Sequence, residues 1–149
     1  MLKVSIEIFG NKELFFGLSD EQMGLLATVA EQVIYCDGQT IFNEGEMGDA
    51  LVIVQSGGVD LFKKADHGGE IKLATLPAGA VMGEMTLINI ERRSATARAA
   101  GDTIAVFLKN SDLVTIFNQD RELFIVLLIN ITRILSKRLR QANEKLMSK

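Results

Sequence analysis

Short apolar runs separated by turn residues dominate the middle of the chain. Between residues 33 and 109, segments of three to six apolar or alternating residues are divided by turn signals such as Asp37-Gly38, Gly57-Gly58 and Pro77-Ala78-Gly79. The segments predicted as strands are 33–36, 40–42, 51–55, 59–63, 71–76, 95–99 and 104–108. Because turns recur about every ten residues, we expect a compact antiparallel roll, since closure removes exposed strand edges.

Helical patterns flank this region on both sides. Residues 19–30 begin with Ser19 and Gln22 in capping-box spacing and then place Met23, Leu26 and Val29 on one face. A short helix is predicted over 111–117. From Arg121 to the end there is no Gly or Pro, which predicts one long helix of about 28 residues.

The long helix carries two apolar stripes. The first, expected to cover the roll, comprises Phe124, Leu127, Ile131 and Ile134. The second follows coiled-coil-like spacing and comprises Leu128, Leu135, Leu139, Ala142 and Leu146. Both stripes could belong to the core of one monomer. We favour a partner helix from a second copy, a homodimer, because so small a domain has little left to cover the second stripe.

Composition indicates one globular domain. The chain has 149 residues, of which 48% are apolar and 23% charged. We expect residues 1–120 to form the roll with short helices, and 121–149 the long helix of the same domain. One Cys and one His exclude a disulfide scaffold and a multi-His metal site, and fit a reducing, cytoplasmic setting. The longest apolar run, 123–129, is far shorter than the roughly twenty residues of a membrane span, so no membrane insertion is expected.

Charge is distributed unevenly along the chain. The net charge is −3, but residues from Arg133 onward include six basic and one acidic side chain, a local charge of +5, so the first 132 residues carry −8. An anionic ligand would therefore depend on local cations and backbone dipoles. The basic end is interpreted as a solvated helix face, which makes DNA binding by this chain alone unlikely.

The residues with the clearest chemistry lie between 80 and 99. Gly83 precedes a helical turn predicted over 84–87, whose backbone N–H groups would form an anion site. Arg92 or Arg93 could close over a bound phosphate, while Glu84 accepts a hydrogen bond from a ligand hydroxyl. The alternative is a surface loop in which Glu84 or Glu91 pairs with Arg93.

This segment resembles the phosphate-binding cassette of the cyclic nucleotide-binding domain family. The matching positions are Gly83-Glu84, Leu87 and Arg93-Ser94-Ala95. The resemblance covers nearly the whole chain, and its further matches are 15–18 with the following helix, Gly38, Ile41, 44–46, Gly48-Asp49, 51–53, 56–57 and 76–79. It implies a jelly-roll-like antiparallel β-roll, a double-stranded β-helix, that binds a 3′,5′-cyclic nucleotide and needs no metal or other cofactor.

The resemblance also implies roles for individual residues. Arg93 would pair with the cyclic phosphate, Glu84 would accept from the ribose 2′-hydroxyl, and Ser94 would offer a hydroxyl to the phosphate. Backbone donors and pocket wall would come from Gly83, Met85 and Thr86. Arg92 stands where many relatives have Pro or an acidic residue, so it is interpreted as a solvated or competing charge.

The base is expected to be adenine, so that cAMP is favoured over cGMP. Ser94-Ala95 resembles the bacterial catabolite activator group, in which a Thr-Ser pair on the long helix contacts adenine across the dimer. Ala142 and Asn143 occupy those places here. Asn143 retains donor and acceptor groups for a purine edge, whereas Ala142 has none.

We expect a regulatory module rather than an enzyme. No His/Asp set suited to catalytic metals is present in the sequence, and Cys36, in an apolar strand run, is expected to be buried. Ligand binding would reposition the C-terminal helix and so act on an effector in another chain. One alternative is a transcription regulator of the catabolite activator class, present as a fragment or with its DNA-binding domain supplied elsewhere. Another is a degenerate, non-binding β-roll that serves as a protein interaction module.

Overall fold

A computed structural model describes residues 13–84 and 89–148 of the chain. Within those ranges the order is one helix, ten strands and two further helices. Their bounds are α1 Asp20–Val29, β1 Glu31–Tyr35, β2 Thr40–Phe42, β3 Met47–Gly48, β4 Ala50–Ser56, β5 Gly58–Lys64, β6 Glu70–Pro77, β7 Val81–Met82, β8 Glu91–Arg92, β9 Thr96–Ala99, β10 Thr103–Lys109, α2 Asn110–Gln119 and α3 Arg121–Met147.

The strands form two four-stranded sheets and a small ladder. One sheet has the order β1-β10-β4-β7, the other β2-β9-β5-β6, and β3 pairs with β8. All these pairings are antiparallel. The prediction of a mainly antiparallel β-roll with flanking helices is confirmed. Each of the seven predicted strands lies within two residues of an observed one, whereas the two-residue strands β3, β7 and β8 were not predicted.

Strand β4 joins the two parts of the core. Alternate side chains of a strand point to opposite faces, and both faces of β4 are covered. Leu51 and Ile53 pack with residues of the helices, while Val52 and Val54 pack with residues of the second sheet. All four are fully buried. Burial on both faces explains why this segment is a continuous apolar run rather than an alternating one.

The N-terminal helix follows its sequence signal closely. Ser19 and Gln22 form the predicted capping box, with Gln22 N donating to Ser19 Oγ at 3.1 Å and Ser19 N donating to Gln22 Oε1 at 2.9 Å. The prediction that Cys36 is buried is wrong. Strand β1 ends at Tyr35, and the turn that follows leaves Cys36 exposed.

The first half of helix α3 packs into the core of the roll. Its first stripe is confirmed for Leu127, Ile131 and Ile134, which are buried, while Phe124 is partly buried against the same core. Asn130 is 2% exposed and donates both amide hydrogens, to the carbonyl oxygens of Leu14 at 2.7 Å and Phe16 at 2.9 Å. This buried amide is satisfied and ties the helix to residues 14–16.

The second half of α3 extends away from the core. Every described residue from 136 to 148 is exposed. Along the second stripe, Leu135 packs partly against the chain's own core, whereas Leu139 is 64% and Leu146 71% exposed. The single chain therefore leaves the distal part of this stripe uncovered.

Two classes of feature are absent from the described residues. None of their helices is long and apolar enough to cross a membrane. Over the same ranges, no group of three or more His, Cys, Asp or Glu side chains is placed to hold a metal ion.

Candidate functional site

A cavity of about 440 Å³ opens between the second sheet, the segment 91–95 and helix α3. Its size falls within the range of about 300–1,000 Å³ typical of small-molecule sites. Its apolar wall includes Phe42, Leu61, Leu76, Val81, Met82 and Ala95, and its polar wall includes Gly83, Glu84, Glu91, Arg92, Arg93, Ser94 and Arg138. The structure thus brings together four of the site residues predicted from the sequence: Gly83, Glu84, Arg93 and Ser94.

The backbone of Arg93 is held by the loop that precedes β3. Arg93 N donates to Glu46 O at 2.7 Å, and Gly45 N donates to Arg93 O at 2.8 Å. The β3–β8 ladder, with Met47 opposite Arg92 and Gly48 opposite Glu91, continues this pairing. This ladder directs the Arg93 side chain into the cavity. The ladder has only two residues in each strand, so it could not be recognised from sequence periodicity.

The guanidinium of Arg93 is half-buried and is held by neutral groups. Its Cζ lies 4.4 Å from the ring centroid of Phe42, and Nη2 donates to Ala50 O at 3.0 Å. Burial lowers the pKa of Arg93 below its ordinary value, and the nearby charges of Asp49 and Glu46 oppose that shift. No ion pair between described residues involves Arg93, so the alternative of an Arg93 pair with Glu84 or Glu91 is wrong.

Two glycines make room for this guanidinium. A Cβ atom at Gly48 would lie 2.9 Å from Arg93 Nε, and one at Gly83 would collide with Arg93 Nη1. Gly83 also has φ +72°, a left-handed conformation that favours glycine. The space that a side chain at position 83 would fill is therefore partly occupied by Arg93.

Glu84 pairs with the C-terminal helix. Arg138 Nη1 donates to Glu84 Oε1 at 2.7 Å, and Arg138 Nη2 donates to Val81 O at 3.0 Å. The Glu84 side chain is 17% exposed and that of Arg138 44% exposed. A residue in the exposed half of α3 is thus bonded to the wall of the cavity.

The neighbouring residues of the segment are more exposed. Arg92 is exposed and donates through Nη1 to Gly45 O at 2.9 Å, which agrees with its interpretation as a solvated charge. Ser94 is also exposed, at the cavity edge, and its carbonyl accepts from Lys63 Nζ at 3.1 Å.

Four other predicted positions are not among the described residues of this wall. Met85 and Thr86 lie outside the described residues, as do Leu87 and most of the helical turn predicted over 84–87. Ala142 and Asn143 are exposed on α3 and do not line the cavity of their own chain.

The cavity residues that the sequence interpretation missed include Phe42 and Arg138. Phe42 ends a predicted strand and was given no role in the site. Arg138 was included in the solvated face of the long helix. Its position three turns after the buried Leu127 was the available signal, because such a residue stays near the face that meets the roll.

The geometry suits a ligand that carries both an anion and a hydroxyl group. Arg93 offers a charged donor with no carboxylate partner among the described residues, so it can neutralise an oxyanion. Glu84 Oε1 accepts from Arg138, which leaves its second carboxylate oxygen able to accept from a ligand hydroxyl. Apolar side chains on the opposite wall can pack against a flat heterocycle.

Comparison with known proteins gives a consistent set of matches. A family model described as "Cyclic nucleotide-binding domain" matches residues 32–120. The cyclic AMP receptor protein of Thermus thermophilus is 37% identical over 133 residues, covering 89% of this chain and 60% of that protein. A CRP-like cAMP-activated global transcriptional regulator of Mycobacterium tuberculosis is 29% identical over 140 residues, covering 94% of this chain and 61% of that protein.

A solved structure has the same fold over nearly the full length of both chains. The N-terminal domain of a transcriptional regulator from Streptomyces coelicolor A3(2) superposes with a TM-score of 0.77 at 31% identity, covering 93% of this chain and 94% of that one. The chain therefore spans about three fifths of the curated relatives named above, and nearly all of this isolated domain.

Proposed function

Because this chain belongs to the cyclic nucleotide-binding domain family, we propose that it is a sensor that binds cAMP and thereby changes the position of its C-terminal helix. The observation that carries the proposal is the half-buried guanidinium of Arg93, which faces the cavity without a carboxylate partner among the described residues. A buried charge is costly unless it is paired. A cyclic phosphate would give Arg93 a direct anionic partner, in addition to the nearby charges of Asp49 and Glu46.

The ribose is assigned to Glu84. With Arg138 on one carboxylate oxygen, Glu84 is oriented and keeps an acceptor for the 2′-hydroxyl. Ser94 at the cavity edge would donate a further hydrogen bond to the phosphate. Gly83, Met85 and Thr86 are proposed to complete the cassette with backbone donors and wall.

The preference for cAMP over cGMP rests on two kinds of support. The two curated relatives named above carry cyclic AMP or cAMP in their descriptions. In this chain, Asn143 on α3 offers an amide to a purine edge, with Ala142 beside it as a small seam residue. Since both are exposed in the single chain, the base contact is proposed to come from a second copy.

The switch is proposed to act through Arg138. Helix α3 is anchored as far as Leu135 and is exposed beyond it, so the bonds from Arg138 to Glu84 and Val81 join its distal half to the ligand cavity. A ligand that draws Glu84 inward would draw Arg138 with it. The two helix positions would then differ in ligand affinity, which is the requirement for a population shift.

We further propose that two copies pair through α3. Leu139 and Leu146 are exposed on one stripe with Leu135, and a helix-helix dimer would cover them. Sedimentation equilibrium should give a dimer for the wild type and a monomer for Leu139→Glu. A wild-type monomer at high micromolar concentration would reject this part of the proposal.

A second candidate function is the sensory part of a transcription regulator. The support is that the chain covers only about three fifths of relatives described as transcriptional regulators. A gel-shift assay at moderate salt, with and without cAMP, separates the two possibilities. Ligand-dependent retardation of DNA by this chain would favour the regulator, and no retardation would reject DNA binding by the chain alone.

A thermal-shift panel of cAMP, cGMP and 5′-AMP tests the primary proposal. A ligand at a hundred times its dissociation constant stabilises the folded state by about 2.7 kcal/mol, which raises the melting temperature by roughly 5–10 °C in a domain of this size. We expect this shift for cAMP, a smaller one for cGMP and little for 5′-AMP. Equal shifts for cAMP and 5′-AMP would reject cyclic nucleotide recognition.

The ribose assignment is tested with 2′-deoxy-cAMP. The wild type should prefer cAMP, and Glu84→Ala should abolish most of that preference because the hydroxyl acceptor is gone. Glu91→Ala is the matched control, since Glu91 lines the same cavity but is exposed. An unchanged preference in Glu84→Ala would show that the hydroxyl is read elsewhere.

A further inference from the structure

We propose that Phe42 is a positioning residue that holds the Arg93 guanidinium in the orientation that binds the ligand phosphate. The inference rests on the proposed function and adds to it the residue that sets the arginine's geometry. It starts from the contact between Arg93 Cζ and the Phe42 ring, whose centroid is 4.4 Å away.

The contact is made by the guanidinium carbon, which carries no hydrogen-bond donor. The five N–H donors of arginine lie in the plane of the group. One of those donors is satisfied by Ala50 O. A ring that attracts the cation at its carbon holds the group in place without an acceptor atom that would use up the donors an oxyanion needs.

The ring also holds the charge without neutralising it. A carboxylate could hold Arg93 equally well, but it would have to be displaced before a phosphate could bind. An aromatic face attracts a cation through its quadrupole and leaves the net charge in place. Phe42 is half-buried and lines the cavity, so the stack is partly shielded from water.

The glycines on either side let Arg93 take this position. A Cβ atom at Gly48 or Gly83 would stand in the space that Nε and Nη1 occupy. With Phe42 on one face and Ala50 O at Nη2, the guanidinium is preorganised before the ligand arrives. Preorganisation reduces the entropic cost of binding.

The chain contains an internal control for this contact. Arg98 stacks on Phe62 with Cζ 4.8 Å from the ring centroid, but it also forms two hydrogen bonds to the Glu70 carboxylate, at 2.6 and 2.7 Å. Removing the Phe62 ring removes the same kind of stack at a place outside the cavity. Phe62→Leu is therefore the matched control for Phe42→Leu.

The first measurement is calorimetric titration with cAMP. A stack of this kind is worth about threefold to thirtyfold in affinity, so Phe42→Leu should weaken binding by that factor. Phe42→Tyr should restore it, because the ring is kept, and Phe62→Leu should leave it within about twofold. In an Arg93→Gln background, which has no cation for the ring to hold, Phe42→Leu should have little further effect. An equal loss in both backgrounds would mean that Phe42 acts by filling space, and would overturn the inference.

The second measurement needs no ligand. In the free protein, the Arg93 Nε–H resonance should carry a ring-current shift that Phe42→Leu removes and Phe42→Tyr retains. If the wild type shows this pattern but binds no cAMP, the proposed function fails and the positioning contact stands. If cAMP binds but the resonance is the same in Phe42→Leu, the positioning role fails and the proposed function stands.

Discussion

Arg93 and Arg98 lie five positions apart, and each stacks on a phenylalanine, yet their surroundings give them different tasks. Arg98 forms a two-bond ion pair with Glu70 on the exposed sheet surface, and hydrogen bonding to Glu70 raises its pKa. Arg93 faces a cavity, and burial lowers its pKa. A paired arginine on the surface joins strands, whereas a half-buried arginine held by neutral groups is available to an anion from outside.

The largest effect should come from removing each arginine in turn. Arg93→Gln should weaken cAMP binding by at least about a hundredfold, because the phosphate would be desolvated without a charged partner. Arg98→Gln should leave the affinity within about twofold. Calorimetric titration with cAMP measures the affinity of both variants. Comparable losses of affinity in Arg93→Gln and Arg98→Gln would contradict the different roles assigned to the two arginines.

A smaller effect is expected from the glycine that makes room for Arg93. Gly83→Ala and Gly101→Ala both place a side chain at positive φ, +72° and +76°, and each should lose about 1–2 kcal/mol of stability from that conformation. Gly83→Ala should lose more, because its Cβ would also lie 2.9 Å from Ala50 O. Gly101 has open space where a Cβ would stand, whereas the same atom at Gly83 would displace Arg93. Only Gly83→Ala should therefore lose affinity, by about tenfold. Urea unfolding and cAMP titration separate the two effects, and loss of affinity in Gly101→Ala would contradict the assignment.

A third arginine, Arg138, combines features of the other two. It forms an ion pair with a carboxylate, as Arg98 does, and it lines the cavity, as Arg93 does. Arg138→Gln should change the affinity for cAMP by less than about fivefold, since its bond to Glu84 is partly solvent-exposed. It should, however, reduce by half or more the ligand-induced change at a spectroscopic probe on residue 148. Lys137→Gln, which removes an exposed pair with Glu13, is the control and should leave that change intact. If Arg138→Gln shows the full ligand-induced change at residue 148, the ligand cavity is coupled to helix α3 through other residues.

The smallest effect concerns the pH dependence of the Arg98 pair. Hydrogen bonding from Arg98 lowers the pKa of the Glu70 carboxyl in the folded state. Its contribution to stability is therefore full above the ordinary pKa of about 4.3 and is lost as the pH falls through the lower, folded-state value. The free energy of unfolding of the wild type should exceed that of Glu70→Gln near pH 7, and the difference should shrink below about pH 4. A difference that grows in acid would contradict this sign.

The main elements of the fold could be predicted because their signals are local. The capping box at Ser19 and the short apolar runs within β4 and β10 depend on neighbouring residues alone. The two-residue strands β3 and β8 were missed, since a ladder of that length exists only through tertiary pairing and has no period to detect. The same β3–β8 ladder positions Arg93. The site therefore depends on the part of the fold that was hardest to predict from the sequence.

For a related reason, only the part of the site that lies in one segment of the chain could be predicted. Gly83, Glu84, Arg93 and Ser94 lie within twelve residues and share a motif, so the segment could be identified from sequence alone. Phe42 and Arg138 reach the same cavity from 51 and 45 positions away from Arg93. Helical spacing from Leu127 places Arg138 near the roll, but nothing in the neighbourhood of either residue indicates that the two line one cavity, because long-range contacts are set by packing.

The most direct test of the account is a titration of the wild-type protein with cAMP, followed through the arginine Nε–H resonances. The account predicts that the Arg93 resonance shifts progressively and saturates at one ligand per chain, while the Arg98 resonance stays where it is in the free protein. A saturating shift at Arg98 with none at Arg93 would contradict the claim that Arg93 is the group that receives the phosphate.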